Sequence, residues 1–291
     1  MIKKIIKILV PSLLLFTMIG CAKEPSIDLD DYYLELTKED LNELSLNEIK
    51  TDLSSFKYDK EVYKNSNEEV TDEDRLDEPS YHKFISGEEI LEVKYNEKTK
   101  KVNTISFQKQ DDNNIKKIAY TGSFVIASLN SPNTKSINNT LDKLNLNKSL
   151  QNIMNLHLEL VQKLNNNQVV DLEEVKNMFE LEEIDKEHYK ESNMMEYVFN
   201  SKNEYIDSMR IDISDTDKQI KDMRTDILNK DLNYQINMYY SSHKVNFAIY
   251  PSRDDIMDNE EGVLKFIRKS NRELFDLLFN GEYINIQKLN Q

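Results

Sequence analysis

Tryptophan is absent from the 291 residues, cysteine occurs once, at Cys21, and glycine and proline occur five times each. One cysteine excludes an intramolecular disulfide, so the fold has to hold by packing alone. At average usage a chain of this length would carry about 20 glycines. So few leave little provision for backbone that must approach a phosphate or an oxyanion closely, which argues against Gly-rich nucleotide loops and strained catalytic elbows. Positive charge is also short: 38 Lys and Arg stand against 53 Asp and Glu, for a net charge of −15. Such a surface is a poor partner for nucleic acid, and none is expected.

The cysteine sits where its chemistry has an obvious use. Lys3, Lys4 and Lys7 precede an almost wholly apolar run over residues 8–19, which closes on Met18-Ile19-Gly20-Cys21. A basic start, a short apolar stretch and a small residue before the cut are the anatomy of a cleavable secretory signal, and the apolar run is well short of the ~20 residues a spanning helix needs. The ending resembles the lipobox of bacterial lipoproteins, with Met18 where leucine is more usual. That resemblance covers only the first 21 residues. It implies that Cys21 becomes the acylated, palmitate-bearing N-terminus and holds the chain on the outer face of the cell membrane, with a signal peptide at 1–20 and a lipidated tether at 21–37. Six arginines against 32 lysines, with abundant asparagine, point to an AT-rich genome and a low-GC Gram-positive host.

Beyond the tether the chain is very polar, with 31% charged residues and a mean hydropathy of −0.67, yet Leu, Ile, Val, Phe and Tyr recur at regular spacing, so it is expected to fold. Residues 45–67 laid over 171–193 give ten identities in 23 ungapped positions, centred on Asp59-Lys-Glu-Val-Tyr-Lys-Asn-Ser-Asn67 against Asp185-Lys-Glu-His-Tyr-Lys-Glu-Ser-Asn193. At a second offset, residues 93–107 lie over 197–211, leaving an insertion near 68–90 whose Asp72, Glu73, Asp74, Asp77, Glu78 and Pro79 have a loop's composition. Both segments at 93–107 and 197–211 alternate about a polar middle, as hairpins do. Further strand pairs are predicted at 115–120 with 124–129 and at 234–240 with 245–250. Helices are predicted at 141–164 and 256–279, after capped helices opening at Ser45 and Asp171. Ile220, Met223, Ile227 and Leu228 have helical spacing and predict an inserted helix between 215 and 232. The fold class expected is α+β: two tandem related modules, 38–164 and 165–291, each an antiparallel sheet of about four strands with flanking helices.

Chemistry-bearing patterns are weak. His82, His157, His188 and His243 are scattered, and Asp212, Asp215 and Asp217 imitate the opening of a calcium loop without its turn glycine or closing glutamate, so no metal is expected. Ser-x-x-Lys occurs at Ser54/Lys57, Ser80/Lys83 and Ser106/Lys109, as chance allows in a lysine-rich chain, and no Gly-x-Ser-x-Gly is present. The expectation is a non-enzymatic, cofactor-free binding or interaction module for an envelope protein or cell-wall component. A solute-binding lipoprotein of a transporter is the alternative, and a cell-wall hydrolase stands behind it. Tyr63 and Tyr189, equivalent in the repeated segment, together with Tyr240 and Tyr250 on strands, are the candidate partner-contact residues, because tyrosine offers large contact area at small entropic cost. The competing reading makes the repeated segment an ordinary helix-to-strand connection and the strand tyrosines part of the core.

Overall fold

The computed structural model describes residues 27–62, 79–111, 113–228, 232–252 and 260–286. The chain opens with α1 (Leu29–Leu36), a 3₁₀ turn (Leu41–Glu43) and α2 (Leu46–Asp52). A six-stranded meander follows: β1 (Lys57–Val62), β2 (Pro79–Ser86), β3 (Glu89–Asn96), β4 (Lys101–Asp111), β5 (Asn114–Tyr120) and β6 (Val125–Ser131). Three helices, α3 (Thr134–Leu141), α4 (Lys148–Asn165) and α5 (Leu172–Met178), lead to a second meander. Its strands are β7 (Leu181–Tyr189), β8 (Met194–Ser201), β9 (Ile206–Ser214), β10 (Ile220–Ile227), β11 (Tyr234–Ser241) and β12 (Lys244–Pro251). The last helix, α6 (Glu260–Phe275), runs on into a π turn (Asp276–Asn280).

The expectation of two separate four-stranded modules is overturned. All twelve strands form one antiparallel sheet in the order β1-β2-β3-β4-β5-β6-β12-β11-β10-β9-β8-β7. The two meanders meet where β12 pairs β6, with Phe247 opposite Leu129 and Ala248 opposite Ser128. At the usual ~4.8 Å spacing the sheet is about 53 Å across. Pairing β6 with β12 removes two free strand edges from the middle of the molecule, where each module alone would have exposed a row of unsatisfied N–H and C=O groups.

Several element expectations are corrected too. The segment at 68–90 is not all loop, since β2 begins at Pro79, and the first position of a strand is one of the few that tolerates proline. The inserted helix at 215–232 is instead β10. A register shift between Ile220 and Asp222 puts Ile220, Met223, Thr225 and Ile227 on one sheet face, and that bulge is what mimicked helical spacing. The helix expected over 141–164 starts only at Lys148, since α3 ends at Leu141 and Asn147 caps the new start by accepting from the Leu150 N–H at 2.9 Å. The last helix gives way to the π turn after Phe275, and residues 256–259 of its expected span lie outside the described residues. The topology also shifts one correspondence between the halves. The Asn96 side chain accepts from the N–H groups of Lys98 and Thr99 and Lys100 has φ 60°, while Ser214 Oγ accepts from Thr216 and Asp217 and Lys218 has φ 56°. The turn between β3 and β4 therefore matches that between β9 and β10, one hairpin later than the offset of 93–107 against 197–211 had set it.

One face of the sheet is buried under the helices. Strand alternation sends Phe84, Leu91, Val93, Ile105, Phe107, Ile118, Ala127 and Leu129 inward from the first half, and Phe199, Met209, Ile211, Met223, Ile236, Met238, Phe247 and Ile249 from the second. Against them pack the stripes Leu29, Tyr33 and Leu36 of α1, Leu150, Ile153, Met154, Leu158 and Val161 of α4, and Ile267, Leu274 and Phe275 of α6. Tyr33, Phe107, Phe275 and Phe279 form an aromatic cluster under the first half, with centroids 4.8–6.2 Å apart. Each of these side chains contributes roughly 2 kcal/mol on leaving water.

Candidate functional site

The opposite face of the sheet carries the side chains that the helices do not cover, and its centre has a distinct composition. Across the β6–β12 seam Asn130 lies opposite Asn246 and Ser128 opposite Ala248. The row continues through Asn237 and Asp226 to Ser208 on one side and through Lys117 to Gln108 on the other. Apart from Lys117 these residues are short or carry amides, so the seam is a polar strip. Tyr250 projects from it, packing on Phe124 at 5.6 Å and donating from its hydroxyl to Asn237 Oδ1 at 2.8 Å. Asn237 in turn donates to Asp226, which also accepts from Arg224 Nε at 2.8 Å and Ser208 Oγ at 3.2 Å. Partial burial, with Asp226 close by, raises the Tyr250 phenol above its ordinary value, so it remains a neutral hydrogen-bonding group.

Toward the β7 edge the face becomes acidic. Register places Asp222, Asp212, Glu196 and Glu187 side by side on four successive strands. Like charges directly opposite one another destabilise a sheet. Asp212 shows the consequence: burial, then Glu196 and Asp222, push its carboxyl up to about 6 against the pull of Arg210, and its Oδ1 is buried without a hydrogen-bond partner. Tyrosines dress the row, Tyr239 donating to Asp222 at 3.2 Å and Tyr189 donating to Glu187 at 3.2 Å and to Glu196 at 3.4 Å.

The structure separates the residues that the sequence had singled out. Tyr189 is 42% exposed at the end of the edge strand β7, so the repeated segment there is strand and not a connection. Tyr250 is half-buried on the open face. Tyr240 is corrected: it points into the core and is 3% exposed, because strand parity assigns it to the same face as Ile236 and Met238, while its neighbour Tyr239 faces outward. Tyr120 is likewise buried, and Tyr95 packs against the core with its ring edge-on to His82. Cys21 and Tyr63 lie outside the described residues. No described helix is long and apolar enough to cross a membrane.

Sequence reasoning missed one arrangement. Ser80 and His82, two apart on β2 and so on one face, form a buried chain in which Ser80 Oγ lies 2.8 Å from His82 Nε2 and Tyr58 Oη 2.6 Å from His82 Nδ1. Ser80 also donates to Glu97 at 3.0 Å, and Lys60, 2.7 Å from that carboxylate, holds it down at about 2. Burial, with the Lys50 and Lys60 charges, lowers His82 to about 4. The Ser80 to His82 spacing is that of a nucleophile and its base. Ser80, however, is 0% exposed, its hydroxyl is held by Glu97, and no substrate carbonyl can reach it, so the chain satisfies buried polar groups. Its signal in the sequence was Ser-x-His at strand spacing. His157 is a buried core residue of α4 bonded through Nδ1 to Thr225 at 2.9 Å. His188 pairs with Asp215 on the surface. Among the described residues no three His, Cys, Asp or Glu side chains converge to hold a metal ion. No protein family model matches the chain, and no curated protein matches it.

Proposed function

We propose that the chain is a membrane-anchored, non-catalytic binding module, held at the outer membrane surface by lipid on Cys21, that presents the open face of its sheet to a protein or cell-wall partner. The observation that carries this reading is the uncovered central strip: amides and small residues around the β6–β12 seam, with Tyr250, Tyr239, Asn237 and Arg224 standing on it. A surface of hydrogen-bonding groups and neutral phenols on a paired sheet suits an extended polar partner, which gains directional hydrogen bonds without the strands having to reorganise. Lipid and face have separate duties. Two acyl chains on one residue hold a protein at a bilayer. The tether expected over 21–37 is cut short, because Leu29–Leu36 is α1 with Leu29, Tyr33 and Leu36 buried in the core, so only the residues before it are left to reach from lipid to sheet.

Crosslinking on intact cells tests both duties. The native chain should capture a defined envelope protein or wall fragment, Cys21→Ser should lose the membrane association and most of the capture, and the Tyr239→Ala, Tyr250→Ala double variant should stay anchored and fold but capture at least tenfold less. Capture that survives the double variant unchanged would place the contact elsewhere and reject the open face.

A further inference from the structure

Lys116 breaks the pattern of its strand. On β5 the inward positions are Asn114, Lys116, Ile118 and Tyr120, and the last two are fully buried in the core, so the alternation puts an ammonium on the covered face where an apolar residue belongs. It lies opposite Leu129 of β6 and Lys109 of β4. At that end of the sheet the helix layer stops short and leaves a cleft of about 400 Å³ between β5, α3 and the π turn, whose lining includes Lys116, Lys143, Asn114, Ser136, Leu129 and Leu277.

The cleft is cationic in a chain of net charge −15. Lys109 is neutralised by Glu89 at 2.8 Å, but among the described residues neither Lys116 nor Lys143 has a carboxylate within ion-pairing distance. Asp111 at the mouth is the one carboxylate of the lining, and it favours the Lys116 charge without forming a contact pair. Burial lowers the Lys116 ammonium below the ordinary lysine value, and Lys143 and Lys109 add to that. Two lysines that repel one another across a half-buried cleft are costly unless an anion joins them.

The backbone is shaped to bring the second lysine in. Gly281 ends the π turn at φ +70°, a conformation that favours glycine, and the Lys143 ammonium lies against it, where a Cβ would fall 2.5 Å from Nζ and push the flexible lysine end aside. The chain beyond is tied to the lysine, with the Ile284 N–H donating to the Lys143 carbonyl at 2.9 Å. Asn114 Oδ1 is buried without a partner, and rotating that amide offers its NH₂ to the cleft instead. Ser136 and Asn139 supply further donors, and Leu129, Leu277 and Phe279 an apolar patch. The lining as a whole is more polar than apolar, which suits a charged head seated between the two lysines.

We infer that this cleft binds a small organic anion, a phosphate or carboxylate head seated between Lys116 and Lys143 with a short apolar part against Leu129 and Leu277. The site is on the covered side of the sheet and stands independently of the open face proposed above. Titration calorimetry on the purified full chain in nanodiscs, against empty nanodiscs, tests it with n-butyl phosphate, butyrate and n-butanol. The expected result is saturable binding of at least one of the two anions below 1 mM, with n-butanol at least tenfold weaker, and a loss of tenfold or more in both Lys116→Gln and Lys143→Gln. Lys117→Gln, one residue along on the open face, should bind as the native chain does, and circular dichroism should show all three variants folded. Absence of binding by either anion overturns the inference, as does equal binding of n-butanol, or affinity unchanged in folded Lys143→Gln. If butyl phosphate binds and butyrate does not, the head is a phosphate; the reverse identifies a carboxylate.

Discussion

A carboxylate that cannot share its charge makes Asp212 the most exposed weakness of single-residue scale. Glu196 and Asp222 flank it across the sheet, Glu187 extends the row, and Tyr189 and Tyr239 bond to its neighbours and not to it; only Arg210 opposes the repulsion. Its folded value of about 6 stands above the ordinary 3.8. Folding therefore disfavours the ionised form, and the penalty is fully present above pH 6. As pH falls through 6 the folded chain takes up the proton before the unfolded chain does, and stability from this group rises until both are protonated below about 4. Asp212 is only partly buried, so screening leaves about 1 kcal/mol of the effect. Asp212→Asn should be more stable than the native chain by about that amount in urea unfolding at pH 8, with the difference shrinking through pH 5 and gone only below the unfolded value of 3.8. A difference independent of pH would mean that the gain comes from hydrogen bonding of the amide and not from charge. The register that creates this row was beyond reach in the sequence: Asp212 was noted there as part of a calcium-like spacing with Asp215 and Asp217, neighbours along one strand and turn, whereas its electrostatic neighbours come from the strands on either side.

Elements whose signals are local were legible, and those whose signals are mutual were not. Ser45 and Asp171 open α2 and α5 as their capping pattern predicted, each side chain accepting a backbone N–H of the first turn. The inward alternation of Ile105 and Phe107, and of Met209 and Ile211, was likewise visible, because burial on one face imposes period two. The edge strands β1 and β7 were hidden: their side chains are almost all exposed, so Lys57-Tyr-Asp-Lys-Glu-Val62 shows no apolar alternation at all. A bulge disguised β10 as a helix. The clasp between the two chain ends was invisible too, since Tyr33 of α1 donates to Asn271 Oδ1 of α6 at 2.6 Å, and Asn271 Nδ2 donates to Thr37 Oγ1 at 3.0 Å. All three residues are buried. Asn271→Ala leaves the Tyr33 phenol without its acceptor and takes away the N–H that Thr37 Oγ1 accepts, although that hydroxyl still donates to the Leu34 carbonyl at 3.0 Å, and should cost about 3 kcal/mol. In the Tyr33→Phe background the same substitution should cost at least 1 kcal/mol less, because one of the orphaned groups is already gone. Additive losses in that double-mutant cycle would show that the clasp is packing alone.

At the scale of the whole molecule the decisive fact is the pairing of β6 with β12, and nothing in either strand announces it. Val125, Ala127 and Leu129 alternate with Ile126, Ser128 and Asn130, and Val245, Phe247 and Ile249 with Asn246, Ala248 and Tyr250. That pattern fixes which side chains go inward but leaves open what lies beside each strand, and a repeated sequence invites two closed bodies when the energetics favour one sheet. The core argues the same way, because α6, which follows the second meander, packs on β5 and β6 of the first as well as on β12. Neither half keeps its inner face covered without the other, so unfolding should be cooperative across the seam. Ala248→Pro tests this directly. Ala248 sits mid-strand between Ser128 of β6 and Asn237 of β11, where proline removes a ladder donor and its ring has no room. Hydrogen exchange followed by mass spectrometry should find amides of β3 to β5 and of β9 to β11 losing protection together, although β3 and β9 lie strands away from the change on opposite sides. Protection retained in β3 to β5 while β9 to β11 exchange freely would mean that the first meander folds by itself. The seam would then be a docking of two bodies, and the strip proposed as the binding surface would be an interface that can open.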